Sequence, residues 1–407
     1  MTPRPHISIA CLACGGEGSV GAVAVHHAVE LSKYFRVSLI SDSFPDAMPK
    51  EVNLHKVTPR RFDYLRRFCH VPNEYAFAKA VRKSIGALHK NNPTDMLIFH
   101  SHAVAALSAK PLKRRYGIPY ALVTHGDIFD RPKGTYDTRL TAFYKWVTPK
   151  AYRNADLVLA LSPYMASCAI KGGASPDTVK VVPNGIDPAD IGLDDTGSIQ
   201  CITEKAPNDP IKLLFVGRLS VEKGVDVLIK ACEILNNRGV NFTLGIIGTG
   251  PLEATIRRMI AAGNLGARIT FLGKIERRSL GNYYRRADLV CVTSLSDPLP
   301  TVVLESLLSG VPVLGSNVGG IPYMIETGKN GVIVPQVDAP SIANVIDDLS
   351  QHREKLCSLA DNAYISVYPR FQWEDVGRTI YCTVEEVLAL NCRGVSQNKI
   401  RNVRQLH

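Results

Sequence analysis

The sequence predicts an α/β fold made of two doubly wound parallel-sheet domains. Three observations carry that prediction. Short apolar runs alternate with helical segments along the chain. The alternation breaks once, at 186–210, where Asp, Gly, Pro and Ser gather without a sustained period, and then restarts. At 407 residues the chain is also too long for one ordinary core.

In the first half, apolar runs at 7–13, 37–41, 96–100, 120–124, 157–162 and 179–182 read as strands. Segments 20–34, 75–90, 104–116 and 140–154 between them suit helices, and strand–helix–strand repetition argues for parallel pairing. The second half repeats the rhythm with strands at 211–216, 242–247, 269–272, 288–293, 311–314 and 332–334. Residues 371–390 read as a terminal helix. The expected division is a first domain at 1–187, a linker at 188–210, a second domain at 211–370, a C-terminal helix at 371–393 and a loose, basic tail at 394–407.

The formal net charge of +11 suits anionic partners: nucleoside diphosphates, anionic lipid surfaces or nucleic acid. The ten cysteines are scattered and mostly in apolar settings, such as Cys168, Cys232 and Cys291, which fits a reduced, cytoplasmic protein. Cys11 and Cys14 form one C-x-x-C without a second ligand pair, so no metal is expected. No apolar run reaches the roughly 18 to 20 residues of a membrane span. The apolar start reads as a first strand rather than a signal peptide, because it passes straight into a Gly-rich turn and a helix. Basic and aromatic residues interleave at 60–68, and with the basic run at 110–115 they make an anionic membrane surface on the inner face a candidate partner. No recognisable RNA module accompanies them, and nucleic acid is not an expected partner.

The most informative stretch is Asp297 to Gly320. A buried-type strand is followed by a turn with Pro298 and Pro300, a short helix from Thr301 to Ser309 stopped by Gly310, and another strand. In such a βαβ unit the helix N-terminus lies at the C-terminal edge of the sheet and offers unpaired N–H groups to a phosphate. Asp297 before the helix and Glu305 within it are repelled by phosphate, but they would accept strong hydrogen bonds from sugar or ribose hydroxyls. Upstream, Gly217-Arg218 and Lys223-Gly224 follow the first strand of the second domain and place two cations at the same kind of edge. Gly248-Thr249-Gly250-Pro251 closes the next strand.

These motifs resemble the retaining GT-B glycosyltransferases of family four. The acidic residue, seven residues and Glu that lead into SGVPV and VGGIPYMIETGKNG, the G-R-x-x-x-x-K-G at Gly217 to Gly224, and the GxGP turn carry the resemblance. It is clearest over Ile211 to Val334. It departs at Asp297, where the family usually has Glu, and at Leu299-Pro300, where Phe-Gly is frequent. It implies two Rossmann-like domains facing a cleft. The donor would be a UDP- or GDP-linked hexose. The acceptor would be a saccharide or a lipid-linked precursor, in polysaccharide or glycolipid synthesis. Transfer would retain anomeric configuration and use no cofactor. No Asp-x-Asp occurs in the chain, which argues against the metal-dependent GT-A class.

Carried over residue by residue, the resemblance gives catalytic roles to His125, Asp127, Arg218, Lys223, Asp297 and Glu305. It gives substrate contacts to Gly16, Gly217, Gly248, Gly250, Ile275, Leu299, Thr301 and Val302. Two rivals stand beside it. Gly16, Gly18 and Gly21 satisfy G-x-G-x-x-G with Asp42 downstream, as an NAD(P)-dependent oxidoreductase would require. A non-catalytic sugar-nucleotide-binding protein with a decayed Asp297 site is the other.

Overall fold

The computed structural model describes residues 3–15, 19–59, 71–126, 138–193 and 209–404. Its contacts divide them into two units: one of residues 3–126, 138–183 and 373–404, the other of 184–372.

Unit one contains β1 (His6–Ala10), α1 (Ser19–Ser32), β2 (Arg36–Ser41), β3 (Val52–Lys56), α2 (Val71–Asn91), β4 (Met96–Phe99), α3 (His102–Tyr116), β5 (Tyr120–Thr124), α4 (Thr138–Arg153), β6 (Leu157–Ala160), α5 (Pro163–Lys171) and β7 (Val179–Val181). The strands form one sheet in the order β3-β2-β1-β4-β5-β6-β7. Every pairing is parallel. The central strands are buried on both faces, as continuous apolar runs between helices must be. Helix ends are set locally. Ser101 accepts a hydrogen bond from the Val104 N–H at the start of α3, and Gly117, in the left-handed region, closes it by donating to Lys113 O at 2.8 Å.

Unit two contains β8 (Ile211–Val216), α6 (Val225–Asn237), β9 (Phe242–Ile247), α7 (Glu253–Ala262), β10 (Ile269–Gly273), α8 (Leu280–Tyr284), β11 (Leu289–Val292), α9 (Thr301–Leu308), β12 (Val313–Ser316), α10 (Ile321–Met324), β13 (Gly331–Val334), α11 (Ala339–Gln351) and α12 (Arg353–Val367). Its sheet runs β10-β9-β8-β11-β12-β13, again parallel throughout. Strands β8, β9 and β11 pack Leu213, Phe215, Leu244, Ile246, Leu289 and Cys291 into a core closed by α6, α7 and α11. In each sheet the chain winds outward one way and then the other, so a switch point lies between β1 and β4 and another between β8 and β11. Ligands of open α/β sheets bind beyond the strand C-termini at such points.

The expected α/β class with two Rossmann-like parallel sheets is the one observed. Four details differ from the sequence reading. Strand β3, which the sequence reading did not include, is an edge strand whose side chains are mostly outside the core, so it lacks an apolar run. Helix α5 was also not expected. It is nine residues long, with Ser162 as its N-cap and Pro163 in its first turn. Strand β12 lies at 313–316 rather than 311–314, because Val311 N still bonds back to Ser306 O at the end of α9. The last helix, α13 (Trp373–Arg404), runs past 393, where a loose tail was expected. Residues 394–404 hold no proline and are mostly tolerable helix formers.

Residues 184–193 pack in unit two, with Ile186 N bonded to Phe371 O at 2.8 Å, so unit one ends before the expected 187. The remainder of the expected linker, 194–208, and the basic–aromatic segment 60–68 lie outside the described residues. Among the described residues no helix is long and apolar enough to cross a membrane.

Candidate active site

The loops beyond β8, β9, β11 and β12 are laced together at one edge of the second sheet. Leu219 N bonds to Thr249 O at 3.0 Å and Leu252 N to Leu219 O at 2.9 Å, which ties the loop carrying Gly217 and Arg218 to the Gly248–Pro251 turn. That approach is why Gly248 is glycine: its φ is +128°, and a Cβ there would lie 1.9 Å from Gly217 O. Gly250 is held against Leu219, where a Cβ would lie 2.4 Å from Leu219 O. Lys223 sits on a 3-10 turn, Val221–Lys223, anchored to the loop after β11 by Leu295 N to Glu222 O at 2.8 Å. Across from it, Gly319 (φ +58°) lets the loop after β12 close on the Asp297 carbonyl, where a Cβ would stand at 1.8 Å.

These contacts bring one predicted cation and one predicted acid together. The Lys223 ammonium forms an ion pair with the nearly buried Asp297 carboxylate. Arg218 is exposed and has no side-chain partner among the described residues. Helix α9 begins at Thr301 behind Pro300, which supplies no capping side chain. Val303 N bonds to Pro300 O, while the Thr301 and Val302 amides find no acceptor among the described residues. Two unpaired N–H groups at a helix N-terminus, on the same edge of the sheet as the loop that carries Arg218 and Lys223, are donors suited to an anion. Thr301 and Val302 are half-buried there, Ile275 is half-buried in the loop after β10, and Leu299 is buried.

Glu305 lies one turn into α9 and is buried. Its Oε2 accepts from the Tyr284 hydroxyl at 2.8 Å and its Oε1 from Arg277 Nη2 at 3.3 Å. Arg277 also approaches Asp190 Oδ2 at 3.7 Å. Burial and then the Glu305 charge push the Tyr284 phenol well above its ordinary range, so it stays a proton donor.

In unit one, His125 follows β5. Its Nε2 lies 2.9 Å from Nδ1 of the buried His100, at the end of the adjoining β4. The His27 ring of α1 stands 5.1 Å from the His100 ring. Burial first, with neighbouring histidines second, depresses His27 and His125 to about 3 and His100 well below its ordinary value, so the cluster is neutral at pH 7. His102 is turned to Tyr152, with its Nε2 2.9 Å from the Tyr152 hydroxyl. Gly16 and Asp127 lie outside the described residues. The residues that lead into the dinucleotide-like fingerprint are tied to the end of β2: Ala13 N donates to Asp42 Oδ1 at 2.8 Å, Cys14 N to Ser41 Oγ at 3.2 Å and Gly15 N to Ser43 Oγ at 3.3 Å. The acid that a dinucleotide ribose would require therefore already accepts from the Ala13 amide.

Two family models match in tandem. The model described as Glycosyltransferase Family 4 covers residues 20–190, and that of Glycosyl transferases group 1 covers 202–366. The chain belongs to the family 4, group 1 glycosyltransferases. One relative, the amylovoran biosynthesis glycosyltransferase AmsK of Erwinia amylovora, is 30% identical over 209 residues, 50% of this chain and 49% of that one. The chain thus spans about half the length of that relative. Solved structures share the GT-B fold over nearly the whole chain. Sucrose-phosphate synthase from Thermosynechococcus elongatus superposes with a TM-score of 0.77 at 19% identity, over 95% of this chain and all of that one. HepE from Anabaena, in complex with UDP-glucose, gives 0.69 at 19% identity, over 94% and 99%.

Around the acidic motif, sequence reasoning missed Tyr284 and Arg277. Tyr284 reads as an ordinary core aromatic at the end of a short helix, and Arg277 as one of several surface arginines. Neither has a sequence spacing to Glu305 that signals contact. The His100–His125 contact depends on β4 and β5 lying side by side in the sheet.

Proposed function

We propose that the protein moves a hexose from a nucleoside diphosphate donor to a saccharide or lipid-linked acceptor, with retention at the anomeric carbon and without a metal. The observation that carries this reading is the anion-binding edge of unit two: Arg218, Lys223 and the unpaired Thr301 and Val302 amides, beside the carboxylates Asp297 and Glu305. As the bond from the anomeric carbon to the phosphate oxygen breaks, negative charge gathers on the diphosphate, and these donors lower the barrier by receiving it. Asp297 accepts hydrogen bonds from sugar hydroxyls while Lys223 is shared between it and the phosphate. Glu305 accepts from the ribose. The acceptor oxygen bonds to the anomeric carbon on the face the leaving group vacates, and its proton passes to the departing phosphate. His125, neutral at pH 7, serves as a hydrogen-bonding partner for sugar or acceptor hydroxyls rather than as a charge.

Retention and the absence of a metal rest on the motif resemblance and on the lack of Asp-x-Asp. A uridine donor is favoured by the UDP-glucose complex of HepE, and a polysaccharide or glycolipid acceptor by the amylovoran relative. Attachment at an anionic membrane face belongs to the same reading and rests on the basic–aromatic sequence.

A thermal-shift screen with UDP-, GDP- and ADP-sugars identifies the donor. Arg218→Ala and Lys223→Ala then lower transfer by about 100-fold or more, as the loss of a transition-state donor does elsewhere. Arg218→Ala leaves the melting temperature unchanged, because the side chain is exposed. Transfer near the wild-type rate in both variants defeats the assignment, and donor binding without nucleotide release to any acceptor or water defeats the catalytic reading.

A further inference from the structure

Glu305 is a carboxylate in an unusual position: buried, on an apolar helix, yet with donors on both of its oxygens. From this geometry, and resting on the donor reading above, we infer that Tyr284 and Arg277 are positioning residues that fix the plane of the Glu305 carboxylate so that it receives the vicinal ribose diol of the donor nucleotide.

A buried carboxylate is costly unless it is paired. One ion pair would meet that need, but the structure supplies two different donors, one to each oxygen. The Tyr284 hydroxyl donates to Oε2 at 2.8 Å from a ring with no exposure to solvent. Arg277 Nη2 donates to Oε1 at 3.3 Å from the rim, where Asp190 Oδ2 stands 3.7 Å away and steadies it. The terminal torsion of a glutamate is broad and loosely determined. Two donors from different elements, the end of α8 and the 3-10 turn Arg277–Ser279 before it, remove that freedom. A carboxylate oxygen accepts about two hydrogen bonds. Each oxygen therefore keeps one site for a hydroxyl after its protein partner is satisfied, and two adjacent hydroxyls of one ribose match the two remaining sites. Tyr284 is the stricter of the pair: burial and the Glu305 charge hold its proton on the phenol, so it donates across the working pH range. Arg277 sits two residues beyond Ile275, so the chain that orients the carboxylate is continuous with a residue proposed to contact the donor.

The test is a comparison of ribose and deoxyribose ligands. Wild-type protein is titrated by calorimetry with UDP, GDP and ADP, and the tightest of these is compared with its 2′-deoxy counterpart. The wild type is expected to prefer the ribonucleotide by about tenfold or more, the range of hydrogen bonds to charged groups. In Tyr284→Phe and in Arg277→Gln that preference falls severalfold toward unity, as it does in Glu305→Gln. A role confined to packing weakens both ligands equally and leaves the ratio unchanged, and that outcome overturns the inference. Arg277 is exposed, so Arg277→Gln folds and carries the test even where Tyr284→Phe does not. No saturable binding of UDP, GDP or ADP to the wild type overturns the donor reading itself, whereas binding with an unaltered ratio in both variants sinks this inference alone.

Discussion

Single residues in this chain often serve two partners at once. Lys223 answers Asp297 and stands beside the helix end proposed to hold phosphate, so its charge is available to an incoming diphosphate only at the expense of the acid. His27 is the opposite case. It is buried, neither ring nitrogen is bonded among the described residues, and its ring lies against those of His100 and Trp373. Its native pKa lies at about 3, below the ordinary 6.5. The unfolded chain therefore takes up a proton that the native one refuses. The stability it permits is complete above about pH 6.5 and is lost as pH falls toward 3, by up to about 1.4 kcal/mol per pH unit. His100 and His125 act in the same direction. His27→Leu is expected to flatten the acid side of the stability curve and to raise stability at pH 7.5 by about 1 kcal/mol, because two orphaned polar atoms disappear. Urea melts at pH 7.5 and pH 5 measure both effects, and an unchanged slope would show that His27 does not titrate as described.

At the scale of elements, α9 is the piece that matters most. It is eight residues long, starts without a capping side chain and ends in hydrogen bonds from Ser309 Oγ to Glu305 O and from Ser306 Oγ to Val311 O, each 2.8 Å. Its C-terminus is secured while its N-terminus is left open. Pro300 has the extended backbone of an ordinary N-cap (φ −69°, ψ 118°), so Pro300→Asp can supply the missing acceptor. That change is expected to stabilise the free protein by about 1 kcal/mol and to weaken nucleoside diphosphate binding by about tenfold or more, since a carboxylate then occupies the anion site. Chemical denaturation and calorimetry check the two halves of this trade. Unaltered affinity would place the diphosphate elsewhere.

The whole molecule closes unit one with residues from the far end of the chain. Helix α13 packs on α1: Trp373 stacks on His26 with ring centroids 4.3 Å apart, and Tyr381 on Tyr34 at the same separation. Gly377 marks the closest approach, because a Cβ there would stand 2.5 Å from Glu30 Cβ. Gly377→Val is expected to separate these helices and destabilise unit one by about 1 to 3 kcal/mol, leaving the nucleotide affinity of unit two unchanged. A scanning calorimetry trace in which the transition of unit one alone moves down in temperature is the expected result; no shift would mean that the α1–α13 contact carries little stability.

Periodicity determined the α/β class and the strands of both sheets apart from β3, because a parallel strand buried on both faces is a contiguous apolar run, while motif spacing made Arg218, Lys223, Asp297 and Glu305 the candidates on which the proposed function rests. Tertiary structure decided what those residues touch. The Lys223–Asp297 pair joins residues 74 positions apart, and the Tyr284–Glu305 bond joins 21. Neither separation has a period that a helix or strand would repeat. Edge strand β3 escaped for a related reason: with its side chains largely outside the core it carries no apolar signal, and only pairing with β2 makes it a strand. Local chemistry fixes what a segment can become, whereas the partner of a buried charge is fixed by which strands lie side by side.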